Sequence, residues 1–161
     1  PGILLRYSGL FAMNARSAAG LEALLSDALR APVRVIQMIG RKGIIPDDQK
    51  GRLGKNIRLG LQSSLGRNVQ GKGGAFRIEI GPVSTRDYQR LVPGSPDHDL
   101  LVSLTGLYVS SPLSWDMEIL LDKKEKPRTV CLGSRRFARL GLDTWVFSKD
   151  GPEEFRTRFQ L

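Results

Sequence analysis

The sequence predicts an α+β protein made of two similar tandem modules, residues 1–74 and 75–161, each a helix followed by a small antiparallel sheet. Three observations lead there. Apolar residues recur at helical spacing in two segments, Leu21–Leu29 and Leu100–Tyr108. A stretch with strand character follows each, Val33–Ile39 and Trp115–Leu121. The marks of punctuation also recur in the same order, 79 to 81 residues apart: Pro32 and Pro112, Pro46 and Pro127, Gly54 and Gly133, Gly60 and Gly141, Leu65 and Trp145. An ordered set at near-constant offset reads as an internal duplication.

Leu4–Ala12 is expected to form a short helix. Ser17 is suited to cap the next one, because its hydroxyl can accept from the free N–H groups of a first turn. Leu21, Leu24, Leu25, Ala28 and Leu29 form one stripe of that helix. Pro32 ends it and pushes Ala31 toward extended geometry. Val33–Ile39 then reads as a strand apolar on both faces, and Gly40–Asn56 as a loop. Within that loop Arg41, Lys42, Ile44, Ile45 and Pro46 form a candidate partner-binding set. An apolar pair between charges, beside a stiffening proline, suits docking, and loops often carry function.

Gly66-x-x-x-x-Gly71-Lys72 matches the start of a phosphate-binding loop, but Gly73 stands where Ser or Thr must hold the metal. The next residues, Phe76–Ile80, alternate as a strand rather than opening a helix, so Gly66–Gly74 is expected to be a flexible connection. Gly81-Pro82 is expected to end that strand. Ser84 and Asp87 have capping-box spacing for a short helix carrying Tyr88, Leu91 and Val92, and Pro93-Gly94 closes it. Asp97 or Asp99 is expected to start the helix that buries Leu100, Leu101, Leu104, Leu107 and Tyr108. Trp115, Met117, Ile119 and Leu121 alternate with Asp116, Glu118 and Asp122, which predicts one buried and one wet strand face. Lys123–Arg128 reads as a charged turn, Thr129–Leu132 as a further strand with Cys131 packed inside, and Glu153–Arg158 as a mixed-charge tail.

Composition is that of a globular protein, 40% hydrophobic and 25% charged, with a net charge of +9 and pI near 10.2. The balance favours an anionic partner, although the basic residues are spread along the chain. Cys131 is the sole cysteine, which fits a reducing compartment. No run approaches the ~18 apolar residues of a membrane span. The start at Pro1-Gly2-Ile3, without Met, reads as a boundary within a longer protein. The lone His98 has no His or Cys partner at metal-ligand spacing, and no nucleophile-and-base pattern is present. The sequence therefore implies no cofactor, no metal and no catalytic residues.

Several stretches together resemble one family. They are Arg16-Ser-Ala-Ala-Gly-Leu-Glu-Ala-Leu-Leu, Pro32-Val-Arg-Val, Leu65-Gly-Arg-Asn-Val and Phe76-Arg-Ile-Glu-Ile-Gly-Pro-Val. Pro93-Gly, Leu113-Ser-Trp-Asp-Met-Glu-Ile-Leu-Leu and Arg139-Leu-Gly-Leu-Asp-Thr-Trp complete the set. In this order they resemble TssG (ImpH/VasB), a baseplate subunit of the bacterial type VI secretion system, and the resemblance covers nearly the whole chain. Family members are about twice as long, so the chain resembles their C-terminal half. The family often carries aromatic residues where this chain has Lys42 and Gln70.

The resemblance implies a structural, non-enzymatic role in the bacterial cytoplasm near the inner membrane. It implies TssF-like and TssE-like partners in a baseplate wedge and docking of two TssK-like adaptor trimers, with no small-molecule substrate and no membrane insertion. Two similar modules would suit two docking surfaces, so Lys124, Lys126 and Pro127 join the partner-binding set as the repeat counterpart of the first loop. The other class of reading is a basic nucleic-acid-binding α+β module, resting on the +9 charge alone.

Overall fold

The computed structural model describes residues 2–50, 66–71, 73–123, 142 and 155–160. Their fold is mixed α+β, with helices on one face of a four-stranded sheet and a separate two-stranded ribbon. The N-terminal segment forms two turns rather than one helix, α1 (Gly2–Arg6) and α2 (Ser8–Ala12), interrupted at Tyr7. Tyr7 is buried and donates its hydroxyl to Asp27 of the long helix α3 (Ala18–Leu29). Ser17 caps α3 by accepting from the Gly20 N–H. Leu21, Leu24, Leu25 and Leu29 are the buried stripe, as helical spacing requires.

Arg30 adopts a left-handed conformation at the end of α3, and the chain reverses through Pro32 into β1 (Val33–Ile36). This strand is shorter than the expected Val33–Ile39. Met38 takes a positive φ of 58°, which breaks extended geometry before Gly40. β1 lies at the sheet edge, and α3 covers that edge: the Val33 N–H donates to Ser26 Oγ and the Val35 N–H to Glu22 Oε1. Side chains thus supply the acceptors that a missing strand would have offered.

The centre of the sheet is β4 (Ala75–Val83) beside β5 (Ser114–Leu121). They pair in parallel, Ile78 with Met117 and Ile80 with Ile119. Parallel pairing needs a crossover, provided here by α4 (Thr85–Leu91) and α5 (Pro96–Tyr108). Gly81-Pro82 does not end β4. The register shifts between Ile80 and Val83, and pairing resumes at Val83 with Leu121. Gly81 allows this with φ +133°, at a place where a Cβ would run into the Leu120 backbone. Ser84 caps α4 and Ser95 caps α5, so neither Asp97 nor Asp99 starts the latter helix. Pro96 at the first helical position fits the serine cap before it.

β6 (Arg156–Gln160) completes the sheet antiparallel to β5, where a charged tail was expected. Phe159 pairs with Met117 and is buried; in the sequence that one apolar residue is hidden between Arg158 and Gln160. A single core joins α3, α4 and α5 to the inner face of the sheet, with Leu24, Leu25, Tyr88, Leu101, Ile78, Ile80, Met117 and Ile119 at its heart. Leu107, expected inside, is exposed on α5.

Both helix-to-strand junctions contain the anticipated proline, Pro32 between α3 and β1 and Pro112 between α5 and β5. The strands differ in pairing: among the described residues β1 has β4 alone beside it, while β5 lies between β4 and β6. Among the described residues the main sheet is mixed and draws on both halves, because β4, from beyond residue 74, is the strand that pairs with β1.

Candidate functional site: a two-stranded ribbon and a charged sheet face

The stretches read as a loop and as a glycine-rich connection meet in space. β2 (Arg41–Ile44) and β3 (Asn68–Gly71) pair antiparallel as a ribbon apart from the main sheet. The signal in the sequence was weak: Arg-Lys-Gly-Ile and Asn-Val-Gln-Gly are too polar and too short to read as strands alone. The ribbon stands between Gly40 on one side and Gly73-Gly74 on the other. Its register sets Gly43 opposite Val69 and Ile44 opposite Asn68.

The candidate apolar pair divides. Ile44 is 79% exposed, whereas Ile45 is 8% exposed and donates its N–H to the Arg67 carbonyl one step past the Ile44–Asn68 pair. Successive side chains along an extended chain point to opposite sides, so the two isoleucines part. Arg41 is half-buried, and Lys42 and Pro46 are exposed. Beyond Pro46 the chain turns, with the Gln49 N–H on the Pro46 carbonyl and Lys50 paired with Asp47. The hydrogen bond from Lys50, and then its charge, hold the Asp47 carboxyl below the usual range. Lys124, Lys126 and Pro127 lie outside the described residues, as do Thr129–Leu132 and Cys131.

On the sheet face away from the helices, Asp116 and Glu118 are 5% and 6% exposed, not wet as expected. The reason is Arg77 on the neighbouring strand. Its Nε and Nη2 meet the two oxygens of Asp116 at 2.6 and 3.3 Å, and its Nη1 reaches Glu118 at 3.4 Å. Arg158 on β6 approaches Glu118 from the other side at 3.6 Å. Glu79 on β4 meets Arg156 on β6 at 3.8 Å. The hydrogen bond to Asp116 raises the Arg77 pKa, so its positive charge is secured. Parallel pairing sets Arg77 beside Asp116 and Glu79 beside Glu118, which single-strand alternation cannot reveal.

A groove of about 280 Å³ lies where α3 begins and α5 ends, lined by Leu21, Met38, Phe76, Tyr108 and Leu113 among others. Arg16 closes one wall, donating to the carbonyls of Phe11, Leu107 and Tyr108 while its guanidinium lies near the Phe11 and Tyr108 rings. Among the described residues no group of His, Cys, Asp or Glu is arranged to hold a metal ion. No helix among them is long and apolar enough to cross a membrane.

The family model described as type VI secretion, TssG, matches residues 1–146, and the chain belongs to that family. It is a family of structural baseplate subunits and not of enzymes. Among solved structures, a chain of the type VI secretion TssK–TssF–TssG baseplate subcomplex, determined by cryo-electron microscopy, aligns with a TM-score of 0.74 at 17% identity. The alignment covers 98% of this chain and 68% of that one. A chain of the type VI secretion baseplate complex aligns with a TM-score of 0.60 at 19% identity, covering 97% of this chain and 44% of that one. No curated protein matches.

Proposed function

We propose that this chain is part of a structural subunit of the type VI secretion baseplate, working in the bacterial cytoplasm and docked near the inner membrane through the secretion complex. It bridges TssF-like and TssE-like subunits and docks TssK-like adaptor trimers. The observation that carries the reading is the family match over residues 1–146. The fold shared with chains of complexes that contain TssK, TssF and TssG supports it. Docking runs through the surface around Arg41, Lys42, Ile44, Ile45 and Pro46, with Lys124, Lys126 and Pro127 as the second surface. Ile44 makes the contact and Ile45 anchors the chain just past β2, in keeping with their exposures.

Co-purification of the full chain with TssK-like, TssF-like and TssE-like proteins tests the assembly role. A stable complex with none of them would end it. The duplication is part of the same proposal, with residues 1–74 and 75–161 as sequence units sharing one sheet. The proline-marked junctions support it. Aligning the two halves over many family members should set Pro32 against Pro112, and a different best register would refute common origin.

A further inference from the structure

We propose that the groove between the start of α3 and the end of α5 binds an extended peptide segment of another protein, one carrying an apolar side chain and a carboxylate. Along the outer edge of β1, α3 stands in for a strand. The Val33 N–H donates to Ser26 Oγ at 3.2 Å and the Val35 N–H to Glu22 Oε1 at 2.8 Å. Two residues of strand advance about 6.8 Å and four residues of helix about 6 Å, so the two rows stay in step. The next rung sets Gln37 against Ala18. Alanine has no side-chain acceptor to offer. Outward N–H groups alternate along a strand edge, so the Gln37 N–H continues the row of Val33 and Val35. Among the described residues nothing accepts from it.

The groove opens at this missing rung, with Ala18 and Gln37 both in its lining. Leu21, Phe76 and Tyr108 are buried and give it an apolar floor, while Met38 and Leu113 stand 74% and 40% exposed at its lips. Arg16 is the one charged residue in the lining. The carbonyls of Phe11, Leu107 and Tyr108 hold its guanidinium, and among the described residues no carboxylate pairs with it. Carbonyls position the group without cancelling its charge. An arriving carboxylate therefore meets a cation that is already fixed, at little further cost in side-chain freedom. An extended peptide satisfies all three features together. Its backbone carbonyl accepts from the Gln37 N–H, as in strand addition to a sheet edge. Its apolar side chain covers the floor, and its acid meets Arg16. A small aliphatic acid would lack the row of backbone groups that a strand edge selects.

The test titrates the isotope-labelled full chain with a panel of end-blocked hexapeptides, each with a central Leu or Phe and one Asp, the position of the Asp varying across the panel. Hexanoate serves as the small acid. The best peptide should bind at least about tenfold more tightly than its Asn counterpart, the loss expected for a charge-assisted contact. The Gln37 amide should exchange quickly in the free chain and slow on binding, with Val33 and Val35 protected throughout. Ala18→Gln supplies the missing acceptor. It should slow Gln37 exchange without peptide and weaken peptide binding about fivefold or more, with the melting temperature unchanged. Failure of the whole panel to bind at millimolar concentration would overturn the proposal, as would a Gln37 amide already protected in the free chain. Equal binding of the Asn peptide removes the carboxylate, and wild-type affinity in Ala18→Gln removes the strand edge; either result sinks the proposed occupant. Hexanoate binding as tightly as the best peptide would make the groove a site for small acids instead. None of these outcomes bears on the baseplate reading, which co-purification decides separately.

Discussion

The ribbon and the centre of the sheet are both pairs of strands, yet they are built on opposite terms. β4 and β5 bury most of their side chains, apolar residues toward the helices and ion-paired residues on the other face. β2 and β3 expose nearly every side chain and, among the described residues, have each other as their sole strand partners. A two-stranded ribbon is marginal in water unless something packs on it. The lesson is that burial, not strand pairing, separates what holds this fold together from what is left for a partner.

Substitutions should sharpen that contrast, and the largest effect belongs to the core. Met117→Asp places an unpaired charge in a fully buried site between Ile78 and Phe159, at a cost above about 4 kcal/mol. The chain should fail to give a cooperative melt; a melt at the wild-type temperature would overturn the assignment of the core. Arg77→Met comes next. It leaves Asp116 and Glu118 buried with their main counter-charge gone, and breaking such a pair costs about 3 kcal/mol. Chemical denaturation should show the loss as a lower midpoint with an unchanged slope.

Gly81→Ala should cost about 2 kcal/mol, from a positive φ and a Cβ pressed on the Leu120 backbone. Tyr7→Phe has a signature in pH. Chiefly the hydrogen bond to Asp27, and then burial, raises the Tyr7 pKa. A raised value means the contribution is complete below the unfolded value of about 10 and is lost as pH rises through the folded one. Alkaline melting curves should therefore be flatter for the variant than for the wild type. The smallest effect on stability belongs to Ile44→Asp, expected within about 0.5 kcal/mol. In hydrogen exchange, ribbon amides should exchange far faster than those of Ile78, Ile80 and Met117. Equal protection would mean that the ribbon belongs to the core.

How much was legible follows from which forces are local. The stripe Leu21–Leu29, the serine caps at Ser17 and Ser84, the proline junctions and the apolar alternation of β5 depend on neighbours in sequence, and they stand in the structure as read. What escaped depends on distant partners. β6 is a strand because Phe159 meets Met117, and β2 and β3 exist because the chain brings residues 41–44 to residues 68–71.

Asp116 and Glu118 show the division most sharply. Sequence alone set their shared face through the period of two along a strand, since that period is a property of the backbone. Only the tertiary structure decided that the face is buried, by laying Arg77 of β4 in register beside them. The same holds for the candidate site. The order of the quoted motifs carried the family resemblance, and the family match over residues 1–146 agrees with it. The separation of Ile44 from Ile45, one outward and one inward, was decided by ribbon pairing, because a side chain's exposure depends on what the rest of the chain places against it.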